Sequence, residues 1–203
     1  MDLDFLEIGT SNFNTHIQSC SDEQVGISVE PLKFYLDDLP NKTNVKKICA
    51  AITYNKVLDN INIFYIPPDV VDKHNLPQWF KGCNRIGNYH TYHTVHGVEH
   101  LVKIESIPLL NVEELLTQEN IKTIKYLKID TEGHDCIIME GFYNYLKEKS
   151  TDYFPRHITF ESNEHSNQNK VTDIIQKFTN LGYTLVQRGY DTILKFDSSS
   201  PEV

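Results

Sequence analysis

The first half of the chain is built from short apolar segments separated by longer, more polar stretches. Residues 3–9, 25–30 and 45–53 each form such a segment, and each is closed by glycine or a polar residue. About ten to fifteen residues separate successive segments, which is the spacing that βα crossovers between parallel strands require. This spacing predicts an α/β fold with a largely parallel sheet.

The end of the chain departs from this spacing. Strands are predicted at residues 124–130 and 156–162, and a final pair of strands is predicted at 183–187 and 192–196. The connection at 189–191 is too short for a crossover between parallel strands. We therefore expect the last two strands to form an antiparallel hairpin.

Residues 67–98 form a long stretch without a clear strand or helix pattern. The stretch contains three prolines and the only tryptophan, Trp79. A structureless segment of this length inside a compact domain is typically a lid or a substrate loop. We expect one domain over residues 1–197 with this loop insertion, followed by a flexible tail at 198–203.

Acidic residues outnumber basic ones by 28 to 19, and the net charge is −9 at pH 7. A surface that follows nucleic-acid phosphates would oppose this field, so nucleic acid is not an expected partner. No apolar run approaches the roughly 20 residues of a membrane-spanning helix, and the first residues lack a signal-peptide pattern. The four cysteines are widely spaced. We therefore expect free thiols and a cytoplasmic protein.

Acidic residues follow several predicted strands at the point where each strand ends. Ligands of an open parallel sheet bind outside this carboxyl edge. Glu30 follows a glycine turn at Gly9 by about twenty residues and suits the two hydroxyls of a ribose; a solvated carboxylate before a helix is the alternative. The Gly-x-Gly-x-x-Gly pattern of dinucleotide sites is absent. A nucleoside with a cationic centre is therefore favoured, and Glu7 suits its amino group or sulfonium.

The densest group of chemistry-bearing residues lies in the middle of the chain. Asp130 and Glu132 are two residues apart, so both can point into one cleft, and Gly133 permits a sharp turn into the next helix. The alternative is a helix N-cap with acids in the first turn. We interpret Asp130, Glu132 and His134 as functional and Asp135 as structural.

Several motifs together resemble one known family. They are Glu7-Ile-Gly-Thr-Ser-Asn-Phe-Asn-Thr15, Val29-Glu-Pro31, Cys49-Ala-Ala-Ile52, Leu76-Pro-Gln-Trp-Phe-Lys-Gly-Cys83, Ile107-Pro-Leu-Leu-Asn-Val-Glu-Glu-Leu-Leu116 and Leu127-Lys-Ile-Asp-Thr-Glu-Gly-His-Asp135. In this order they resemble the FkbM family of S-adenosylmethionine-dependent O-methyltransferases over nearly the whole chain. The resemblance implies the class I methyltransferase fold, a Rossmann-like three-layer sandwich. Its seven-stranded, mostly parallel sheet has the order 3-2-1-4-5-7-6, with the last strand antiparallel.

The resemblance also implies the cofactor S-adenosylmethionine and its binding residues. The methionine part would contact the first strand and the following loop, the ribose would contact Glu30, and the adenine would lie near the end of the third strand. The implied cofactor-binding residues are Glu7, Gly9, Thr10, Ser11, Glu30, Pro31, Ala50, Ala51 and Asp130. Phe13 departs from the family, which usually has glycine at that position of the first loop.

Methyl transfer to a hydroxyl needs an in-line approach and a group that removes the hydroxyl proton. Glu132 is the predicted base, His134 is the competing candidate, and Asp130 completes the catalytic set. A divalent metal on the acceptor oxygen is a further expectation. Mg²⁺ or Mn²⁺ would be held by the oxygen ligands Asp130, Glu161 and Asn163.

The family resemblance alone implies that the acceptor is a sugar, a glycan or a glycosylated small molecule. Aromatic faces stack on sugar rings, so the insertion is a candidate wall of the acceptor pocket; an ordered surface insertion is the alternative. A zinc site is the weaker interpretation of its histidines, because no cysteine pair accompanies them and a loop gives them no common face. The candidate substrate residues are Trp79, Tyr89, His90, Tyr92 and His93.

Two other functional classes are alternatives to the methyltransferase. A non-catalytic module could keep this fold and bind a glycan or a partner domain. A dehydrogenase is disfavoured by the missing glycine pattern and by the terminal hairpin. Because the chain begins at strand one, we also expect it to be part of a longer protein, with a fused neighbour such as a glycosyltransferase domain.

Overall fold

The computed structural model describes residues 1–11, 15–163 and 166–197. In these ranges the strands are β1 (Asp2–Ile8), β2 (Gly26–Val29), β3 (Val45–Ile48), β4 (Ala51–Thr53), β5 (Asn60–Tyr65), β6 (Arg85–Ile86), β7 (Lys103–Asn111), β8 (Thr123–Ile129), β9 (His157–Glu161), β10 (Thr184–Gln187) and β11 (Asp191–Lys195). The α-helices are α1 (His16–Ser19), α2 (Lys33–Asp38), α3 (Pro68–Lys73), α4 (Thr91–Val95), α5 (Val112–Gln118), α6 (Asp135–Leu146) and α7 (Gln168–Asn180). Short 3-10 helices lie at Gln78–Lys81, Glu99–Leu101 and Thr151–Tyr153. Phe13 and the predicted tail at 198–203 lie outside the described residues.

Seven of these strands form one sheet in the order β3-β2-β1-β8-β9-β11-β10. Strand β11 runs antiparallel to both of its neighbours, and all pairs from β3 to β9 are parallel. The predicted α/β fold with a mostly parallel sheet is confirmed, and so is the terminal hairpin. The strand numbers differ from the predicted 3-2-1-4-5-7-6, because four strands of a second sheet lie between β3 and β8 in the chain.

The second sheet has the order β4-β7-β5-β6. Residues 45–53, predicted to be one strand, are in fact two. Strand β3 ends at Ile48 in the large sheet, and β4 begins at Ala51 and pairs with β7. Cys49 and Ala50 form the junction, so the chain passes from one sheet to the other at the carboxyl end of β3.

Helices cover both faces of the large sheet. On one face α5, α6 and α7 contribute Leu115, Phe142 and Phe178 to a buried cluster with the strands. On the other face α1 and α2 contribute Ile17 and Leu36 to a second cluster. Burial of these apolar side chains stabilises the sheet between its two helical layers. The loops that follow the strands lie at the carboxyl edge of the sheet, where ligands of such folds bind.

The insertion at 67–98 is folded, so the prediction of a structureless loop is wrong. It contains α3, a 3-10 helix, β6 and α4, and it has an apolar cluster of its own. That cluster consists of Ile66, Val71, Phe80, Cys83 and Val98. Each element is too short to show a helical or strand repeat in the sequence. The insertion is therefore a small packed unit beside the sheet edge.

The cysteines and the helices bear on two expectations from composition. The four cysteines, Cys20, Cys49, Cys83 and Cys136, are free thiols, as predicted. None of the described helices combines the length and the apolar character needed to cross a membrane.

Candidate active site

A cavity lies at the carboxyl ends of β1, β2 and β8. Open parallel sheets bind their ligands at this edge. Glu132 and His134 line the cavity. Seven of the predicted cofactor residues line it as well: Gly9, Ser11, Glu30, Pro31, Ala50, Ala51 and Asp130.

The second sheet and the insertion supply part of the cavity wall. The sequence predicts the insertion as a wall of the acceptor pocket, whereas the contribution of the second sheet was missed. Ile63 of β5 lines the cavity together with Gly82, Asn84 and Ile86 of the insertion. Gly82 belongs to one of the motifs that resemble the family, whereas no local sequence signal marks Ile63, Asn84 or Ile86. Their position depends on the pairing of β5 with β6 and β7, which joins segments far apart in the chain.

Gly9 allows the first loop to approach the loop after β8. Its φ angle is +80°, and a Cβ atom at this position would lie 1.8 Å from the carbonyl oxygen of Asp130. Both the left-handed backbone and the close contact require glycine. The two loops therefore meet closely enough to line the same cavity.

Glu30 is buried in the cavity wall and holds the first loop through its carboxylate. Its Oε2 accepts from the N–H groups of Thr10 at 3.1 Å and Ser11 at 2.8 Å, and its Oε1 accepts from the N–H of Leu32 at 3.0 Å. Burial raises the pKa of Glu30 to about 7, because the three hydrogen bonds offset only part of the desolvation. Each carboxylate oxygen has two acceptor positions, so Oε1 retains one that these backbone groups do not use.

Glu7 and Thr10 have roles that differ from the predicted cofactor contacts. Both oxygens of the fully buried Glu7 accept from the N–H of His16 at 3.0 Å, and Lys128 Nζ lies 3.4 Å from Oε1. Burial raises the pKa of Glu7, and Lys128 opposes this shift. Thr10 is buried and donates its backbone N–H to Glu30. Neither side chain lines the cavity, so we assign Glu7 to the start of α1 and Thr10 to the support of Glu30.

Asp135 organises the loop that follows β8. It is buried and accepts from the N–H groups of Thr131 and Gly133, both at 3.2 Å, and from the Thr131 hydroxyl at 3.1 Å. Burial and the nearby Asp130 raise the pKa of Asp135 to about 7. Asp135 thus has the structural role that was predicted for it. The loop it holds passes through left-handed conformations at Glu132 and Gly133, with φ of +55° and +93°.

His134 lines the cavity beside Glu132, and its ring is held by the second sheet. Its Nε2 lies 3.1 Å from the Oγ1 of Thr53, the last residue of β4. Burial lowers the pKa of His134 to about 4, with smaller contributions from Arg85 and Lys170. The imidazole is therefore neutral at pH 7.

Glu132 meets the insertion at the rim of the cavity. Its side chain is 31% exposed, and its Oε2 lies 3.2 Å from the Nε2 of the buried His90. His90 was predicted to contact substrate. The structure instead places its ring against a candidate catalytic carboxylate.

Like His90, the other predicted substrate residues do not line the cavity. Trp79 is 44% exposed and stacks on Phe80, with 4.1 Å between the ring centroids. Tyr89 is also exposed, and Tyr92 is half-buried. His93 is fully buried, and burial lowers its pKa to about 4. His93 is therefore a neutral core residue, and the structure does not support its predicted contact with substrate.

Acidic side chains gather at the carboxyl ends of β8 and β9. Burial raises the pKa of Glu161 to about 9, and Asp135, Glu132 and Asp130 add to the shift. The Nδ2 of Asn163 donates to the Glu161 carboxylate. Within the described ranges, no group of three or more His, Cys, Asp or Glu side chains has the arrangement of a metal site. The predicted Mg²⁺ or Mn²⁺ site at Asp130, Glu161 and Asn163 and the zinc interpretation therefore find no support there.

The fold and the cavity define an α/β protein with a methyltransferase-like sheet and a ligand site at its carboxyl edge. Comparison with known proteins agrees with this class, because the model of the methyltransferase FkbM domain matches residues 6–185. The chain belongs to the FkbM methyltransferase family. No curated protein and no solved structure matched the chain.

Proposed function

We propose that the protein transfers the methyl group of S-adenosylmethionine to a hydroxyl oxygen of a sugar, a glycan or a glycosylated small molecule. The main observation that supports this proposal is the cavity at the carboxyl edge of the sheet. Its wall combines residues that suit the cofactor, such as Gly9 and Glu30, with Glu132, which suits a general base. Membership of the FkbM family supports the reaction class.

The residues of the cavity fit the cofactor part by part. Pro31, Ala50 and Ala51 form a small apolar surface that suits the adenine ring, and Glu30 has one free acceptor position for a ribose hydroxyl. Asp130, with a side chain 46% exposed, places a carboxyl group where a sulfonium or an ammonium group would be attracted. When bound, the cofactor supplies an electrophilic methyl group for an in-line displacement.

Glu132 is the group best placed to take the proton of the acceptor. It lines the cavity, and its side chain is partly exposed there. His134 lines the same cavity, but its pKa of about 4 makes the neutral imidazole a weak proton acceptor at pH 7. We therefore assign the base to Glu132 and assign His134 to the cavity wall. No step of the proposal uses a divalent metal.

The insertion supports a carbohydrate acceptor. Its exposed aromatic side chains, Trp79 and Tyr89, are of the type that stacks on sugar rings. The same insertion supplies Gly82 and Asn84 to the cavity wall. An acceptor bound along the insertion would therefore extend toward the methyl group.

Isothermal titration calorimetry with S-adenosylhomocysteine tests the cofactor site. We expect the wild-type chain to bind in the micromolar range, and Glu30→Ala to weaken binding by about tenfold or more. Glu23→Ala removes an exposed acid from the same half of the chain and should leave binding unchanged. Absence of binding by the wild-type chain at several hundred micromolar ligand would refute a methyltransferase.

A second assay tests the acceptor. Transfer of a tritiated methyl group from S-adenosylmethionine to a panel of mono- and oligosaccharides should give labelled product. Cofactor binding without any labelled carbohydrate would contradict the proposed acceptor class and favour a non-catalytic binding module.

A further inference from the structure

We propose that His90 is a positioning residue for the general base. It donates its Nε2–H to one oxygen of Glu132 and leaves the other oxygen available for the acceptor hydroxyl. The inference rests on the proposed function, in which Glu132 removes the proton of the acceptor.

The backbone of α4 determines which nitrogen of His90 carries the proton. His90 is the N-cap residue of α4, and its Nδ1 accepts from the backbone N–H of Tyr92 at 3.2 Å. A nitrogen that accepts a hydrogen bond carries no proton, so the proton of the neutral ring is on Nε2. That nitrogen lies 3.2 Å from the Oε2 of Glu132. The N–H of the imidazole is therefore directed at the carboxylate.

Packing holds the His90 ring in this orientation. The residue is 4% exposed, and its ring centroid lies 5.2 Å from that of Tyr92 and 5.8 Å from that of His93. His93 is itself buried and stacks on Phe80. Since both nitrogens of His90 are engaged, rotation of the ring would break two hydrogen bonds inside the protein. The donor is thus fixed before any substrate arrives.

Glu132 is a residue that benefits from such a donor. Its backbone is left-handed, with φ of +55°, a conformation that is uncommon for residues other than glycine. A partly exposed glutamate side chain can occupy several rotamers, and a bond from a buried donor selects one of them. No other described side chain is bonded to this carboxylate. Its Oε1 therefore retains its acceptor positions.

The same bond joins the two parts of the site. His90 belongs to the insertion, which also supplies Gly82 and Asn84 to the cavity wall, and Glu132 belongs to the loop after β8. One contact thus orients the base and sets the insertion against the loop that carries it.

Long-range ¹H–¹⁵N correlation spectra of the uniformly ¹⁵N-labelled full chain test the contact directly. We expect the Nε2–H tautomer for His90 at pH 7, assigned by comparison with His90→Gln. In Glu132→Gln the His90 Nε2 resonance should shift. An Nδ1–H tautomer, or His90 resonances that do not respond to Glu132→Gln, would overturn the proposal.

Backbone ¹⁵N relaxation tests whether the contact orders the base. The order parameter of the Glu132 amide should fall in His90→Leu, which has no donor, and should be partly retained in His90→Gln, whose amide can donate. His100→Leu, which removes an exposed histidine just beyond the insertion, should keep the wild-type value. An unchanged Glu132 amide in His90→Leu would overturn the proposal. If that variant does not fold, the Glu132→Gln spectra decide the question.

Cofactor binding separates this inference from the proposed function. If the wild-type chain does not bind S-adenosylhomocysteine, the proposed function is refuted. The spectra are recorded without any ligand, so they test the contact between His90 and Glu132 independently. With an acceptor identified, His90→Leu should lower kcat by about ten- to a hundredfold and leave KM for S-adenosylmethionine unchanged. An unchanged kcat would overturn the positioning role.

Discussion

Replacing Glu161 with glutamine is expected to stabilise the protein at neutral pH. Burial, reinforced by Asp135 and Glu132, raises the pKa of Glu161 from 4.5 to about 9. Between these two values the unfolded chain has lost the proton and the folded chain retains it. The free energy of unfolding therefore falls as the pH rises from about 4.5 toward 9, because the folded state binds the additional proton.

The free energy of unfolding that is lost grows with the difference between the pH and the unfolded-state pKa of 4.5. This loss is the penalty for keeping Glu161 protonated in the folded protein. At pH 7 the penalty is about 3 kcal/mol, and at pH 5.5 it is about 1 kcal/mol, from 1.36 kcal/mol per pH unit. Glutamine has no proton to lose, so the variant escapes this penalty. Its side-chain oxygen can still accept from Asn163, which now donates to Glu161.

Urea denaturation of both proteins at pH 5.5 and pH 7 measures the difference. With a slope of about 2 kcal/mol per molar urea, the midpoint of Glu161→Gln should exceed that of the wild type by about 1 M or more at pH 7. Glu148→Gln, at an exposed site after α6, should stay within about 0.5 kcal/mol of the wild type at both pH values. A Glu161→Gln difference that does not depend on pH, or a loss of stability at pH 7, would refute the reasoning.

Three further outcomes are expected. Gly9→Ala should destabilise the fold more than Gly87→Ala, although their φ angles are +80° and +78°, because only a Cβ at Gly9 would meet the Asp130 carbonyl; equal losses in thermal denaturation would contradict the steric explanation. S-adenosylmethionine should release more protons on binding near pH 7 than S-adenosylhomocysteine, because its sulfonium lowers the raised pKa values of the acids in and around the cavity. Calorimetry in buffers of different ionisation enthalpy counts these protons, and equal counts would place the sulfonium away from the acids. Glu132→Gln should reduce methyl transfer by about 10²- to 10⁴-fold and leave S-adenosylhomocysteine affinity unchanged; full activity would exclude Glu132 as the base.

Elements with strong local signals could be predicted from the sequence. The apolar runs of β1 and β8 identify buried strands, and the short connection before β11 identifies a hairpin. The start of α5 follows from Asn111, whose side chain accepts from the N–H of Glu114 at 2.8 Å. The concentration of cofactor candidates at one edge followed from the parallel sheet, because parallel strands end on the same side.

What could not be predicted depends on contacts between distant segments. The second sheet forms by pairing of β5 and β7, and its strands carry no signal for the sheet they join. Glu7 has the sequence context of a ligand-binding acid. In the structure its carboxylate instead lies opposite Lys128 across the β1–β8 pair and accepts the hydrogen bond from His16. The contact of His90 with Glu132 likewise exists only once the insertion has packed against the loop after β8.

The central claim is that the cavity at the sheet edge holds S-adenosylmethionine with its reactive end toward Glu132. A crystal structure of the protein with S-adenosylhomocysteine tests it most directly. We predict that the adenine lies against Pro31 and Ala51, that a ribose hydroxyl bonds to Glu30, and that the sulfur faces the side of the cavity lined by Asp130 and Glu132. A ligand bound outside this cavity, or bound without contact to Glu30, would contradict the claim.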